Sequence, residues 1–534
     1  MIDARRADVG ERMTTPATVH HAPSRGLVLK ACIFATGLAG IVAEYVMATL
    51  ASYLLGDAVL QWTLTVSLML FAMGVGSRLS RFIRGSVLDA FVTVELLLSV
   101  VCATSATLAY FLSAWTTSLA PIIYGISFAI GLLIGIEIPL ATRLNQVFDE
   151  LRVNISSVLE YDYYGALLGG VLFAFVALPF LGLTYTPIAV GAINLVVAGL
   201  LFARHRRVFA WRRVLSVSFA GVSLFLIALA WLAEPIVLFG EQYKYRDQVI
   251  YQDQTRYQRI VMTRFRDYHW LYLDGHTQFS SYDEERYHEP LVHPAMLASA
   301  ARRHILVLGG GDGLALREVL RHPEVMDVTL VDIDPAMTTL GRSHEVLVEL
   351  NRDAFADPRV TVENRDAYTY LRDADSRFWD VILVDLPDPR TIDLARLYGL
   401  EFYRLARRHL SPGGVVVTQA TSPFFTRRAF LSVGATMEAA GLITVRYHNH
   451  VPTMGEWGWV LGMRGRDAAA PRDDWLRQRL AALSFETLDT RFLNRDAMLS
   501  MLHFGKGFDG EVEVSNETNF AIFYYYRDGD WDLY

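Results

Sequence analysis

Charge is scarce in this chain of 534 residues: 20 % of positions are Asp, Glu, Lys or Arg against 52 % hydrophobic, and mean hydropathy is +0.26. A soluble domain usually carries about 25 % charged residues, so the deficit points to a membrane protein. A basic excess is lacking too. With a formal net charge of −7, the chain has no electrostatic footprint for general nucleic-acid binding, and no nucleic-acid partner is expected. Cysteine is nearly absent. Cys32 and Cys102, both inside apolar runs, exclude a disulfide framework and a cysteine-based metal site, and read as small apolar packing residues.

The charge deficit lies almost entirely before residue 234. Residues 1–27 are a polar tail with Arg5, Arg6, Arg12 and Arg25. The apolar sequence that follows predicts a transmembrane domain over 28–233, with seven helices at about 28–53, 59–77, 88–114, 119–142, 162–182, 186–203 and 214–233. Each has the roughly 20 residues that cross about 30 Å of hydrocarbon. The first run is too long for a signal peptide and lacks a small-residue cleavage site. Arg78, Arg81, Arg84, Arg143, Arg152, Arg204, Arg206, Arg207, Arg212 and Arg213 fall in alternate loops, whereas 54–58, 115–118 and 183–185 hold no Lys or Arg. The positive-inside rule puts the arginine-rich loops and the amino terminus in the cytoplasm, and seven crossings put everything after them outside. Glu44, Glu95, Glu137, Glu160 and Asp162 lie in or beside these segments. Carboxylates at that depth face a bundle interior or a polar cavity. Here they either meet a cationic amine or bond to Ser, Thr or Tyr between helices. Gly165, Gly169 and Gly170 in YYGALLGG predict close helix packing.

From Glu241 the pattern changes to short alternating segments. Gln258–Thr263 and Trp270–Leu273 predict strands of a small β-domain and hinge over 241–300. A Rossmann-like α/β domain with a doubly wound sheet is expected over 301–465, followed by a carboxy-terminal extension, 466–534. His304–Leu308 is an apolar strand that runs into Gly309-Gly310-Gly311-Asp312-Gly313 and a helical pattern. Such a turn lets backbone approach a nucleoside closely. Val328–Val331 ends in Asp332, with Asp334 beyond it, where a carboxylate can hold a ribose diol. Val360–Val362 leads to Asp366-Ala367, and Val381–Val384 to Asp385-Leu386-Pro387-Asp388. Ligands of open α/β sheets collect at the carboxyl ends of strands, so Asp312, Asp332, Asp366, Asp385 and Asp388 are expected around one crevice. Five acids there call for a cation. No His/Cys cluster has metal spacing, and either Mg²⁺ on carboxylates or a diamine fits the charge.

The blocks LYLDGHTQFSSYDEERYHEPLVHP, ILVLGGGDGLALREVLRHP, VDID, NRDAYTYL, DVILVDLPDP and VVVTQATSPFF, in this order over about 240–465, closely resemble spermidine synthases. Membrane-fused bacterial members of that family also resemble the first half, in AEYV, GIEIPL and DYYGALLGG. The resemblance implies transfer of an aminopropyl group from decarboxylated S-adenosylmethionine, a co-substrate and not a permanently bound cofactor, to a diamine. Putrescine is the default acceptor, giving spermidine and methylthioadenosine. It also implies that Gln258 and Gln278 line the donor pocket with the turn glycines Gly309 and Gly311. His288 and Asp312 hold the aminopropyl end, Asp332 the ribose, and Asp366 with Ala367 the adenine. Asp385 is the base, assisted by Tyr287, while Asp388 and Gln419 line the acceptor channel. No metal is assigned, and a homodimer is the default assembly.

Two departures bear on the acceptor. Leu386 and Pro387 stand where the family has small hydroxyl residues, and Met454 stands where it gives a tyrosine to the acceptor pocket. The donor is made in the cytoplasm, which conflicts with the outside placement from the charge rule. Two other readings remain: an S-adenosylmethionine methyltransferase on the same fold, and a membrane polyamine transporter or sensor with a non-catalytic synthase-like domain. An aspartate at position 312 disfavours the methyltransferase, because it repels a methionine carboxylate.

Overall fold

A computed structural model describes residues 24–55, 58–113, 115–116, 118–145, 151–464 and 473–531. The expected polar tail therefore lies outside the described residues up to position 23. The chain divides into two compact units, Met1–Gly240 and Glu241–Tyr534.

The first unit is helical: α1 Ser24–Leu55, α2 Ala58–Ser80, α3 Val87–Ser113, α4 Ala120–Asn145, α5 Leu151–Leu172, α6 Gly182–His205 and α7 Arg212–Lys244, the last running on into the second unit. Among the described residues, six helices are long and apolar enough to cross a membrane where seven were expected, because a stretch of 51 residues, Ile155–His205, takes in both expected segments 162–182 and 186–203. That stretch is not straight. A π-helical segment, Phe173–Leu181, ends at Gly182, whose φ of 60° and ψ of −168° leave the helical region. Thr186 Oγ1 then donates to the Ala177 carbonyl, nine residues back, at 3.2 Å. In a continuous helix nine residues span about 13 Å. The chain turns sharply at Gly182, between α5 and α6. α5 starts well before residue 162 and α7 continues past 233, because polar ends can be helical where hydropathy gives no signal.

Close packing follows the glycines in part. A Cβ on Gly165 would lie 2.0 Å from the Phe34 carbonyl and one on Gly169 2.7 Å from the Leu38 carbonyl, whereas Gly170 has ordinary contact distances. Glu44, Glu95 and Glu137 are buried in the bundle, while Glu160 is exposed. Among the described residues neither carboxyl oxygen of Glu95 has a hydrogen-bond partner.

The second unit opens with an antiparallel sheet of β1 Gln248–Gln254, β2 Arg259–Phe265, β3 Tyr268–Leu273 and β4 His276–Ser280. Helix α8, Glu285–Ala298, leads into a seven-stranded sheet. Its strands are β5 His304–Gly309, β6 Asp327–Asp332, β7 Val360–Asn364, β8 Trp379–Asp385, β9 Leu410–Gln419, β10 Leu442–Val451 and β11 Gly455–Arg464, in the order β10-β11-β9-β8-β5-β6-β7. Strands β5 to β9 are parallel, and β11 and β10 join as an antiparallel edge. The sheet is therefore mixed and Rossmann-like, with five parallel strands and an antiparallel edge pair.

The central parallel strands β5 and β8 are mostly apolar because helices cover both faces. Apolar clusters around Ile305, Val307, Val381 and Leu383 on one face and Leu306, Leu308, Ile382 and Val384 on the other follow the two-residue period. The small sheet packs Ile260, Met262, Leu271 and Phe279 against Leu314 of helix α9, Leu314–Leu320, and Met337 and Leu340 of helix α10, Pro335–Ser343. The order reverses direction between β5 and β8, and a ligand crevice is expected at the carboxyl ends of those two strands.

Candidate active site

The glycine turn after β5 lies against the end of β8. Gly309 pairs with Asp385 across the two strands. Its φ is 84°, and a Cβ there would sit 2.0 Å from the Asp385 carbonyl, so a side chain is excluded by both conformation and space. The Gly311 amide donates to Asp332 Oδ2 at 3.1 Å. The turn thus joins two acid-bearing strand ends.

Asp385 is the centre of the cluster. Tyr287 Oη, on α8, donates to its Oδ1 at 2.7 Å. Burial pushes the carboxyl up to about 6; the charge of His288 opposes that rise, Asp312 adds to it, and the Tyr287 hydrogen bond opposes it. Tyr287 itself is held well above the ordinary phenol value by burial and by Asp385. Its proton stays on and points at the carboxylate. The hydrogen bond fixes the orientation of the Asp385 carboxyl.

His288 follows Tyr287 on α8. Its Nδ1 lies 2.9 Å from both the carbonyl and Oε2 of Glu284, one helical turn earlier. Burial alone would lower its pKa, but Glu284 overrides that and raises it to about 9. Asp312 and Asp385 add to that rise. Glu284, pulled down to about 2 against its own burial by His288 and Arg317, also receives Arg317 Nη1 and Nη2, each at 2.9 Å. Asp312 accepts from the Leu314 amide at 2.8 Å, and burial raises its carboxyl with His288 opposing.

On the β6 side, Asp332 Oδ1 accepts from the Asp334 amide at 2.8 Å. Burial still pushes Asp332 up to about 7. A half-buried carboxyl with few donors is suited to accept from a pair of hydroxyls. Gln258 Nε2 donates to Asp334 Oδ2 at 3.0 Å, which places it beside this strand end. Gln278, on β4, donates its amide to the His276 carbonyl at 3.2 Å. Asp366 caps the helix Ala367–Asp373 through the Thr369 amide at 2.9 Å and pairs with Arg396 at 2.7 Å. It therefore has a cationic partner of its own. Ala367 is buried at the start of that helix.

Beyond Asp385 the loop turns through Leu386 and Pro387. Tyr398 Oη donates to both of their carbonyls at 3.0 Å, and Gln419 Nε2 to Leu386 O at 2.8 Å. The same amide reaches Asp388 Oδ1 at 3.2 Å. Burial pushes Asp388 up to about 6 although Gln419 and Tyr526 donate to it. Met454, in the β10–β11 hairpin, is half-buried against the apolar cluster on the Tyr287 side. That hairpin is tied down where Thr453 N and Oγ1 donate to Asp283 at 2.8 and 2.7 Å. Glu284, Tyr398 and Tyr526 were missed in the sequence. The four-residue spacing of Glu284 and His288 was a usable signal; nothing local singles out Tyr398 or Tyr526.

Residues 284–473 match the family described as the spermine/spermidine synthase domain. Polyamine aminopropyltransferase 2 of Aquifex aeolicus is 42 % identical over 507 residues, 93 % of this chain and 98 % of that protein. Polyamine aminopropyltransferase 1 of Streptomyces coelicolor is 41 % identical, covering 85 % of this chain and 87 % of its own length. Polyamine aminopropyltransferase 2 of Ralstonia nicotianae is 40 % identical, with 94 % and 98 % covered. Matches of this length include the helical unit as well as the catalytic one. The chain belongs to the polyamine aminopropyltransferase family and is an aminopropyltransferase of the spermidine synthase type.

Proposed function

We propose that this enzyme works in a bacterial inner membrane, through its apolar helices, and moves the aminopropyl group of decarboxylated S-adenosylmethionine to a diamine, with putrescine as the default acceptor. The observation that carries the site assignment is Asp385: half-buried, oriented by Tyr287 at 2.7 Å, with a carboxyl pushed up to about 6. A protonated amine has no lone pair. Asp385 takes the proton, the nitrogen attacks the carbon beside the sulfonium, the C–N bond forms as the C–S bond breaks, and methylthioadenosine leaves with the C–S electron pair. That is general-base work with positioning. Asp332 takes the ribose hydroxyls, Asp366 and Ala367 the adenine, and Gln258 borders the donor pocket through Asp334. Asp312 receives the donor's ammonium, with His288 setting the local charge. Asp388 and Gln419 receive the far ammonium of the acceptor. A homodimer remains the default assembly.

The experiment is incubation of detergent-purified protein with decarboxylated S-adenosylmethionine and a series of diamines, measuring methylthioadenosine beside an Asp385→Asn control. Product that depends on one diamine and is lost in the control supports the assignment. Product from S-adenosylmethionine itself, as a methylated amine, would replace it with a methyltransferase.

A second reading concerns the helical unit and is favoured by one observation. Glu137, Thr36, Cys102 and Asn194 line a narrow gap among the apolar helices, and the buried Glu95 carboxyl faces that of Glu137. Buried carboxylates of this kind handle cations in other membrane proteins. Uptake of labelled spermidine into proteoliposomes, measured for the parent chain and for Glu137→Gln, tests whether the unit also moves polyamine; equal uptake by both removes this reading.

A further inference from the structure

Residues beyond 473 lie outside the matched domain, yet they reach the acceptor end of the site. The segment 512–531 is built into the catalytic unit. Ser432 Oγ donates to the Glu513 carbonyl at 2.8 Å, the Leu400 amide to the Ser515 carbonyl at 2.9 Å, and the Ser515 amide to Thr436 Oγ1 at 3.0 Å. Its last helix, Ala521–Arg527, buries Ala521, Ile522 and Tyr526. The chain after it is pinned as well: Trp531 Nε1 donates to the Tyr526 carbonyl at 2.9 Å, and the Asp530 amide to the Phe425 carbonyl at 2.8 Å. Trp531 stacks on Phe425 and packs on the Tyr526 ring, with centroids 5.9 and 4.9 Å away.

All this holds one hydroxyl in place. Tyr526 Oη donates to Asp388 Oδ2 at 3.1 Å, across 138 residues of chain, while Gln419 occupies Oδ1. Two donors, one on each oxygen, fix the plane of a half-buried carboxylate. Each oxygen keeps a further lone pair, and the phenol oxygen, having given its proton to Asp388, keeps its own to accept from a cation. A primary ammonium has three N–H donors, enough to meet Asp388 and Tyr526 together.

We propose that the carboxy-terminal segment completes the acceptor pocket, and that Tyr526 is a positioning and specificity-determining residue that aims Asp388 at the distal ammonium of the diamine. This rests on the reading of Asp388 as an acceptor-binding group. Burial of Asp388 gives Tyr526 a second effect: a donor on Oδ2 favours the ionised carboxylate that an ammonium needs. The donor pocket and Asp385 receive no bond from Tyr526, so donor binding and the chemical step are spared.

Steady-state kinetics on the full-length enzyme test this with Tyr526→Phe, Asp388→Asn and the double variant. Tyr526→Phe should raise the KM for the diamine about tenfold, the worth of one charge-assisted hydrogen bond, with the KM for decarboxylated S-adenosylmethionine and kcat within about twofold. In the Asp388→Asn background the same change should cost much less, because its target is gone. An equal loss in both backgrounds, or a fall in kcat and donor affinity without a change in acceptor KM, would overturn the role of Tyr526. An unchanged acceptor KM in Asp388→Asn alone would instead remove the reading of Asp388, a separate failure. Tyr526→Leu serves as the packing control: heat stability falls there, whereas Phe keeps the ring against Trp531.

Discussion

Tyr287 and Asp385, 98 residues apart in sequence, meet through a hydrogen bond of 2.7 Å in which the buried phenol is the donor. The direction of that bond divides the labour. A phenol held above its ordinary pKa by burial and by the neighbouring carboxylate is a poor proton acceptor, in keeping with Asp385 as the proposed base. The pair also ties α8 to the end of β8, which positions the base over the glycine turn.

Asp385→Asn keeps the size and the Tyr287 contact and removes the proton acceptor. Turnover should fall about 10²–10⁴-fold, the usual worth of a general base. Protection against heat by decarboxylated S-adenosylmethionine should persist. Methylthioadenosine release and a thermal shift measured on the same preparation check both halves; retained turnover would move the base elsewhere.

The pH profile follows from the same pair. Asp385 works ionised and its carboxyl is pushed up to about 6, so kcat should fall as pH drops through that value, approaching tenfold per unit below it. The Tyr287 bond lowers the pKa of Asp385, so Tyr287→Phe should move this acid limb to higher pH as well as slow the reaction. A limb that stays in place would mean that another group controls it.

Glu284→Gln tests the compensating ions. Glu284 is pulled down from 4.5 to about 2, and His288 is raised from 6.5 to about 9. A lowered acid stabilises the fold above its unfolded value and loses that as pH falls through about 2. A raised histidine stabilises it below its unfolded value and loses that as pH rises through about 9. The pair therefore contributes in full between about pH 4.5 and 6.5 and fades toward and beyond pH 9. Removing one partner of a buried ion pair costs about 3–5 kcal/mol. The variant should unfold at a lower temperature near pH 6, and the deficit should shrink above pH 9; a deficit independent of pH would contradict the protonated state of His288.

Gly309→Ala places a Cβ 2.0 Å from the Asp385 carbonyl at a φ of 84°. The left-handed conformation alone costs about 1–2 kcal/mol for a side-chain-bearing residue, and the clash adds to it. Heat unfolding should come earlier, and the residual folded protein should have lost turnover through displacement of Asp385. The comparison is Gly310→Ala, where the nearest atom is the Asp385 side chain at 3.2 Å, and the stability loss should be smaller.

Much of the catalytic unit was legible because its strands are continuous apolar runs ending in acids. His304–Leu308, Val328–Val331, Val360–Val362 and Val381–Val384 all lie within strands of the sheet, and the acids after them mark its carboxyl ends. The helical unit was legible by hydropathy, but its boundaries were not. The polar start of α5 and the end of α7 are helical for reasons of backbone bonding that carry no apolar signal. The sharp turn at Gly182 shows as a backbone angle and a Thr186–Ala177 bond.

The sequence by itself determined the order of elements, the acid at each strand end and the glycines between them, since these depend on local propensity and on periods of two and 3.6 residues. Tertiary structure alone decided which groups share a charge and which share a proton. His288 is an ion-pair partner of Glu284, Asp366 is matched by Arg396, and Tyr526 reaches Asp388 from the far end of the chain. Protonation and hydrogen bonding depend on burial and on partners tens to hundreds of residues away, and no local pattern encodes them.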